Sequence, residues 1–297
     1  MKVKIVNFWL AVGILILWSW SVALVEAAGP SFKQQQLRYV KVRKAYQEKE
    51  CYLQQLFQSK GLDYPPKRLF FRIFKKEKIF QVWIASGHNS KYILLKEYPI
   101  CRVPGRLGPK RREGDFQMPE GFYFINRFNP TSNYYLSLGL NYPNKSDAIL
   151  GVKGHLGGNI FIHGGCSTVG CIPMTNDLIM EIYVLAVEAR NNGQKRIPVF
   201  IFPMKLTEQN LEEIITTNDR ILRYVVHLIE QYPSLAMFVP QTIREHLRQK
   251  LARKEALWRF WSNLKEGYDI FEKTHTLPYV TVRKDGSYAF KQGQGKN

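Results

Sequence analysis

The chain has 297 residues, with 43 Lys and Arg against 24 Asp and Glu, a formal net charge of +19 and 45% apolar residues. That length suits one large domain, or one domain with an appended helical piece, and that charge favours partners bearing carboxylate or phosphate groups. Past residue 28 no segment stays apolar long enough to cross a bilayer, no repeat or low-complexity tract occurs, and no common nucleic-acid-recognition motif is present. A multi-helix membrane protein and a nucleic-acid partner are therefore set aside, and an anionic cell wall or membrane surface fits the charge better.

In chain order, Lys2 and Lys4 precede an apolar run over 5–25, interrupted by Asn7, Gly13, Ser19 and Ser21 and followed by Val25-Glu26-Ala27. This is the pattern of a signal peptide over 1–28, and the run is also long enough for an uncleaved anchor giving membrane contact. Either way the rest is expected to work outside the cytoplasm. Residues 29–64 form a helical lead-in, with Leu37, Val40, Tyr46, Leu53, Leu56 and Phe57 at helical spacing over 33–60 and Gly61 closing the end. Strands are expected at 69–74 and 79–84, hairpinned through Lys75-Lys76-Glu77-Lys78, and at 92–101, 121–126, 134–140, 159–163 and 197–202. Residues 105–121, rich in Gly, Pro and charge, are a long functional loop between strands. Thr175-Asn176-Asp177 caps a helix running to Asn191. Beyond Thr207 the texture becomes amphipathic, with helices over 211–230, 240–251 and 254–272, then a hairpin of 279–282 and 288–290 around Lys284-Asp285-Gly286.

Chemistry concentrates in Ile162-His163-Gly164-Gly165-Cys166-Ser167-Thr168-Val169-Gly170-Cys171. A thiol is nucleophilic only as thiolate, and a nearby imidazole is the usual device for taking its proton. Cys171 is thus the candidate nucleophile, His163 its general base, and the backbone N–H groups around Gly170 and Cys171 candidate oxyanion donors. Two other readings stand beside this one: a buried structural thiol next to a satisfied histidine, and a metal site from His163, Cys166, Cys171 and His155, whose spacing matches no common zinc motif. No metal and no cofactor are expected. Arg106, Lys110, Arg111 and Arg112 offer guanidinium and ammonium groups for a substrate carboxylate, or simply a solvated loop. If Cys171 is to stay free, Cys51 with Cys101 is the structural disulfide that spares both loop cysteines, with four free thiols as the alternative.

The stretch His163 to Asn176, together with Leu107-Gly108-Pro109-Lys110, Glu113-Gly114-Asp115, Pro119-Glu120-Gly121-Phe122-Tyr123, Tyr142-Pro143-Asn144 and Phe260-Trp261-Ser262-Asn263-Leu264-Lys265-Glu266-Gly267-Tyr268-Asp269, resembles the YkuD-type L,D-transpeptidase catalytic domain. The nearer likeness is to the subgroup of murein L,D-transpeptidases and diaminopimelate-lipoprotein amidases, and it covers roughly residues 65 to 290. The resemblance implies an α+β fold: a mostly-β catalytic core over 65–204, packed helices, and a mainly helical C-terminal extension over 205–297. It implies a periplasmic enzyme that attacks peptidoglycan stem peptides at a carbonyl linked to meso-diaminopimelate, forming a thioester on Cys171. An amine acceptor would complete transpeptidation; water would complete hydrolysis, as in release of a wall-attached lipoprotein. Thr168, Gly164, Gly165 and Ser167 would border the substrate. The broader family often has Ser three residues before the nucleophile and Arg two residues after it, where this chain has Thr168 and Pro173. Arg106, Lys110 and Arg111 are then the candidate substitutes for the lost arginine. A noncatalytic basic wall-binding protein is the contrasting reading.

Overall fold

β-branched and aromatic residues fill β1 (Arg68–Phe74) and β2 (Ile79–Ala85), and the charged Lys75 to Lys78 between them make the turn, pairing Arg68 with Ala85 and Phe74 with Ile79. The computed structural model describes residues 29–87, 90–214 and 217–291; the signal peptide expected over 1–28 lies outside them. Ahead of β1 come α1 (Phe32–Gln36) and α2 (Val40–Ser59). After β2 follow β3 (Ile93–Pro99), β4 (Gly121–Asn129), β5 (Ser137–Leu140), α3 (Lys145–Leu150), β6 (Phe161–His163), β7 (Ile172–Pro173), α4 (Asn176–Asn191) and β8 (Ile197–Phe202). The C-terminal part holds α5 (Glu208–Ile214), α6 (Thr217–Gln231), α7 (Pro233–Ala236), α8 (Gln241–Thr274), β9 (Tyr279–Val282) and β10 (Tyr288–Lys291).

Eight strands form one sheet in the order β3-β2-β1-β8-β4-β5-β6-β7, while β9 and β10 pair separately. The parallel pairs are β1 with β8 and β6 with β7. The period-2 alternation of side chains splits the core in two. Leu69, Phe71 and Ile73 of β1 pack with Val42, Leu53 and Phe57 of α2 and with Ile182, Leu185 and Ala189 of α4. Phe70 and Phe74 point the other way, onto Phe200, Phe202, Phe260, Trp261, Leu264 and Phe271. Each such side chain contributes roughly 1.5–3 kcal/mol by leaving water. The fold is thus α+β, a sheet held between α2 and α4 on one face and α8 with its terminal hairpin on the other.

The sheet curls. Cys101, two residues past edge strand β3, donates its N–H to the Pro173 carbonyl of the opposite edge strand β7 at 3.1 Å. The long loop between β3 and β4 is pinned from below by a buried charge cluster. Lys75 Nζ donates to the carbonyls of Gly108 (2.8 Å) and Met118 (3.0 Å) and to Glu120 Oε1 (2.8 Å), while Trp261 Nε1–H of α8 donates to Glu120 Oε2 at 2.8 Å. With every buried charge paired, this cluster fixes the loop against sheet and helix.

Several expectations need correction. The helix expected over 33–60 is two, because the chain breaks between Gln36 and Val40. Residues 240–251 and 254–272 form one 34-residue helix, since Ala252 and Arg253 between them are good helix formers with no Gly or Pro nearby. The strand expected over 134–140 begins only at Ser137, after Tyr135 adopts φ 70°. The Cys51–Cys101 disulfide is also replaced: Cys101 is joined to Cys166, with Cα atoms 5.3 Å apart, and Cys51 is a free thiol on the exposed side of α2. Sheet curling is the cause, because it brings Cys101 beneath the loop that follows β6.

Candidate active site

Strand register places the chemistry. Ile162 opposes Ile172 and His163 opposes Pro173 in the parallel β6–β7 pair, so Phe161 stands opposite Cys171 one step earlier. Ile162 and Ile172 are fully buried in the core beneath, which sends Phe161, His163 and Cys171 to the other face. One strand spacing and two residues of rise separate the Cα atoms of His163 and Cys171 by roughly 8 Å, with both side chains on a common face.

The Cys171 sulfur is half-buried between two backbone groups: Phe161 donates its N–H to Sγ at 3.4 Å, and the thiol donates to the Asn159 carbonyl at 3.6 Å. Burial pushes the Cys171 thiol above its ordinary 9.0, with the Phe161 N–H and the Lys110 charge working against that rise. His163 is buried, and its Nδ1 lies 2.7 Å from the Gly164 carbonyl. A carbonyl only accepts, so Nδ1 carries the hydrogen and Nε2 keeps its lone pair. Burial holds the imidazole below its ordinary 6.5, although the Gly164 carbonyl favours the cation. At neutral pH the pair is therefore a neutral thiol and a neutral imidazole with the correct tautomer for a base. Tyr134, half-exposed in the turn before β5, lays its ring 4.7 Å from the imidazole.

The loop between them is tied internally. Gly165 turns at φ 74°, and Ser167 is exposed while Gly164 is buried. Thr168 Oγ1 accepts from the Gly170 N–H at 3.2 Å and donates to the Cys171 carbonyl at 3.0 Å. The Gly170 amide is thus occupied in this state. Cys166 is held to Cys101, which withdraws its sulfur from any metal-ligand set, and among the described residues no cluster of three His, Cys, Asp or Glu side chains is placed to hold a metal.

The basic loop residues separate. Lys110 is buried, donating to Asp115 Oδ1 and to the Arg112 carbonyl, both at 2.8 Å. Asp115 in turn accepts from the backbone N–H groups of Arg111, Arg112 and Gln117, and these bonds with Lys110 hold its carboxyl below the usual range against the opposing effect of burial. Arg111 is turned toward Asp147, at 3.6 Å, and over the Phe260 ring. Arg106 is exposed, its backbone N–H bonded to Gln117 Oε1. The His155 carbonyl accepts from the Glu113 N–H of the loop. Two contributors escaped sequence reading: Asn159, whose carbonyl meets the thiol, and Arg127 of β4, whose guanidinium lies over the Phe161 ring at 4.8 Å. Asn159 carries a signal, as a residue apt for positive φ, here 54°, two residues before β6.

Comparison with known proteins shows the family of the chain. The family model described as the L,D-transpeptidase catalytic domain, YkuD, matches residues 64–201. The provisionally named L,D-transpeptidase YafK of Escherichia coli (strain K12) is 32% identical over 216 residues, covering 72% of this chain and 70% of YafK. Among solved structures, the helical cell shape determining protein Pgp2 of Campylobacter jejuni is similar at 19% identity, 77% coverage of this chain, 80% of that one, and a TM-score of 0.37. Bd1075 of Bdellovibrio bacteriovorus is similar at 18% identity, 73% and 78% coverage, and a TM-score of 0.36.

Proposed function

Because the chain belongs to the YkuD-type L,D-transpeptidase family, cysteine enzymes that modify peptidoglycan, we propose that it performs acyl transfer through a Cys171 thioester on diaminopimelate-containing stem peptides, outside the cytoplasm. The observation that carries this is the His163 tautomer: an Nδ1–H held by Gly164 leaves Nε2 as the base on the face that Cys171 shares. His163 Nε2 takes the Sγ proton as sulfur attacks the donor carbonyl, and the oxyanion is received by backbone N–H groups at Cys171 and Gly170. The second of these becomes available when the Thr168 hydroxyl releases it. The imidazolium then returns its proton to the leaving amine, the C–N bond breaks, and the thioester remains. An amine acceptor or water attacks that thioester, with His163 again taking the proton, and Cys171 is regenerated. Residues 1–28 supply export, and the +19 charge suits a polyanionic wall.

Wild type and Cys171→Ala protein incubated with muropeptides and with lipoprotein-loaded sacculi, read by mass spectrometry, test this. New cross-links support transpeptidation and released lipoprotein supports the hydrolytic alternative, each only in wild type; identical product profiles from the two proteins overturn the catalytic claim. Sacculus binding that survives Cys171→Ala without any bond change identifies a wall-binding protein instead.

A further inference from the structure

A second row of side chains crosses the sheet beside the thiol. Arg127 of β4 opposes Gly139 of β5, and Gly139 opposes Phe161 of β6, which stands next to Cys171. Opposed residues share a face, so Arg127, Gly139, Phe161 and Cys171 form one line over four strands. An irregularity in β4 between Ile125 and Arg127 shifts the register there. Ile125 therefore stays in the core while Arg127 is exposed on the thiol's face.

The row has a gap that the arginine fills. A Cβ on Gly139 would sit 3.0 Å from Arg127 Nε and 3.1 Å from Phe161 Cε1, so a side chain there would crowd Arg127 where it lies across β5. Its guanidinium then stacks on Phe161 at 4.8 Å and donates from Nη1 to Asn159 Oδ1 at 3.2 Å. Asn159 is the residue whose carbonyl meets Cys171 Sγ, and Phe161 is the residue whose N–H does. Among the described residues this is the guanidinium's one hydrogen bond and no carboxylate pairs with it, which leaves donors of its fork for a ligand about one strand spacing from the nucleophile. Lys110 and Arg111, by contrast, are engaged with Asp115 and Asp147.

We infer that Arg127, seated over Gly139 and stacked on Phe161, is a carboxylate-binding residue that receives the free carboxylate of the donor peptide one residue beyond the attacked carbonyl. A peptide residue spans at most about 3.5 Å, so a carboxylate one residue from the carbonyl at Sγ lies within reach of that fork. Arginine presents paired donors to a carboxylate as no lysine does. This assignment rests on the proposed acyl-transfer function.

The test uses a stem tetrapeptide containing meso-diaminopimelate, once with its C-terminal carboxylate free and once with it amidated. Arg127→Ala is expected to raise KM for the free acid ~10- to 100-fold, the scale of a lost charge-assisted hydrogen bond, and to leave the amide's KM unchanged. Arg127→Lys recovers part of the loss, Gly139→Val reproduces it by displacing the guanidinium, and iodoacetamide labelling of Cys171 stays at the wild-type rate in Arg127→Ala. Equal changes for acid and amide, or no change, overturn the assignment. If wild type turns over neither peptide, the acyl-transfer reading fails by itself, and calorimetric binding to Cys171→Ala protein decides Arg127 separately. A preference for the acid that Arg127→Ala abolishes supports it; equal affinities overturn it.

Discussion

Replacing the disulfide by Cys101→Ala/Cys166→Ala removes a covalent closure across 65 residues of sequence. The chain-entropy relation for a loop of that length gives about 4 kcal/mol of stability, from restriction of the unfolded chain. For a folded body of this size the loss corresponds to a Tm lower by about 8 °C. Differential scanning calorimetry is the assay, with and without dithiothreitol: oxidised wild type should lose about that much on reduction, the double variant should be insensitive to reductant, and Cys51→Ala should match wild type. Cys166 also anchors the segment between His163 and Cys171, so the double variant should lose kcat as well, by up to ~100-fold if the thiol or base moves by an ångström. A Cys51–Cys101 link in non-reducing peptide maps, or a Cys51→Ala variant as destabilised as the double variant, would refute the reasoning.

The acid limb of the rate follows the neutral imidazole fraction, so kcat/KM should rise with pH through a midpoint below 6.5 and level off by neutrality. A midpoint above 6.5 would remove His163 as the buried base; His163→Ala should cost ~10²- to 10⁴-fold in kcat. Asp147, where burial outweighs its bonds from the Asn144 N–H and Tyr123 hydroxyl, is pushed up to about 6. Because the folded state holds its proton more tightly than the unfolded state does, this residue's contribution is full below pH 3.8 and lost as pH rises through about 6. The loss is on the order of 3 kcal/mol. Urea unfolding at pH 4 and 7 should show Asp147→Asn flattening that slope, and parallel curves for variant and wild type would contradict it. Glu120→Ala strands the Lys75 ammonium with no carboxylate and should cost ~3–5 kcal/mol, whereas Lys75→Met/Glu120→Leu should cost markedly less by chemical denaturation; equal losses would mean the pair is not acting as a buried charge cluster.

Local patterns carried much of the architecture. The charged Lys75 to Lys78 turn, the Thr175 cap and the apolar run over β8 each announce their element within a few residues, because turn, cap and strand chemistry are short-range. Elements of marginal local signal were harder: β7 is two residues long and exists because β6 is beside it, and the 34-residue α8 continues where sequence periodicity falters because its Phe260 to Phe271 face is buried on the sheet.

The same division runs through the site. His163, Cys171 and the glycines between them lie within nine residues, so the thiol–imidazole pair and its family motif are readable from the chain alone. The partner of Cys166, the engagement of Arg111 and the approach of Arg127 depend on residues 32 to 65 positions away. Nothing in a linear pattern encodes those distances. They are set by which strands the curled sheet makes neighbours and by which faces the register exposes. The proposed catalytic pair is therefore written in a short motif, while the side chains around it are assembled by packing.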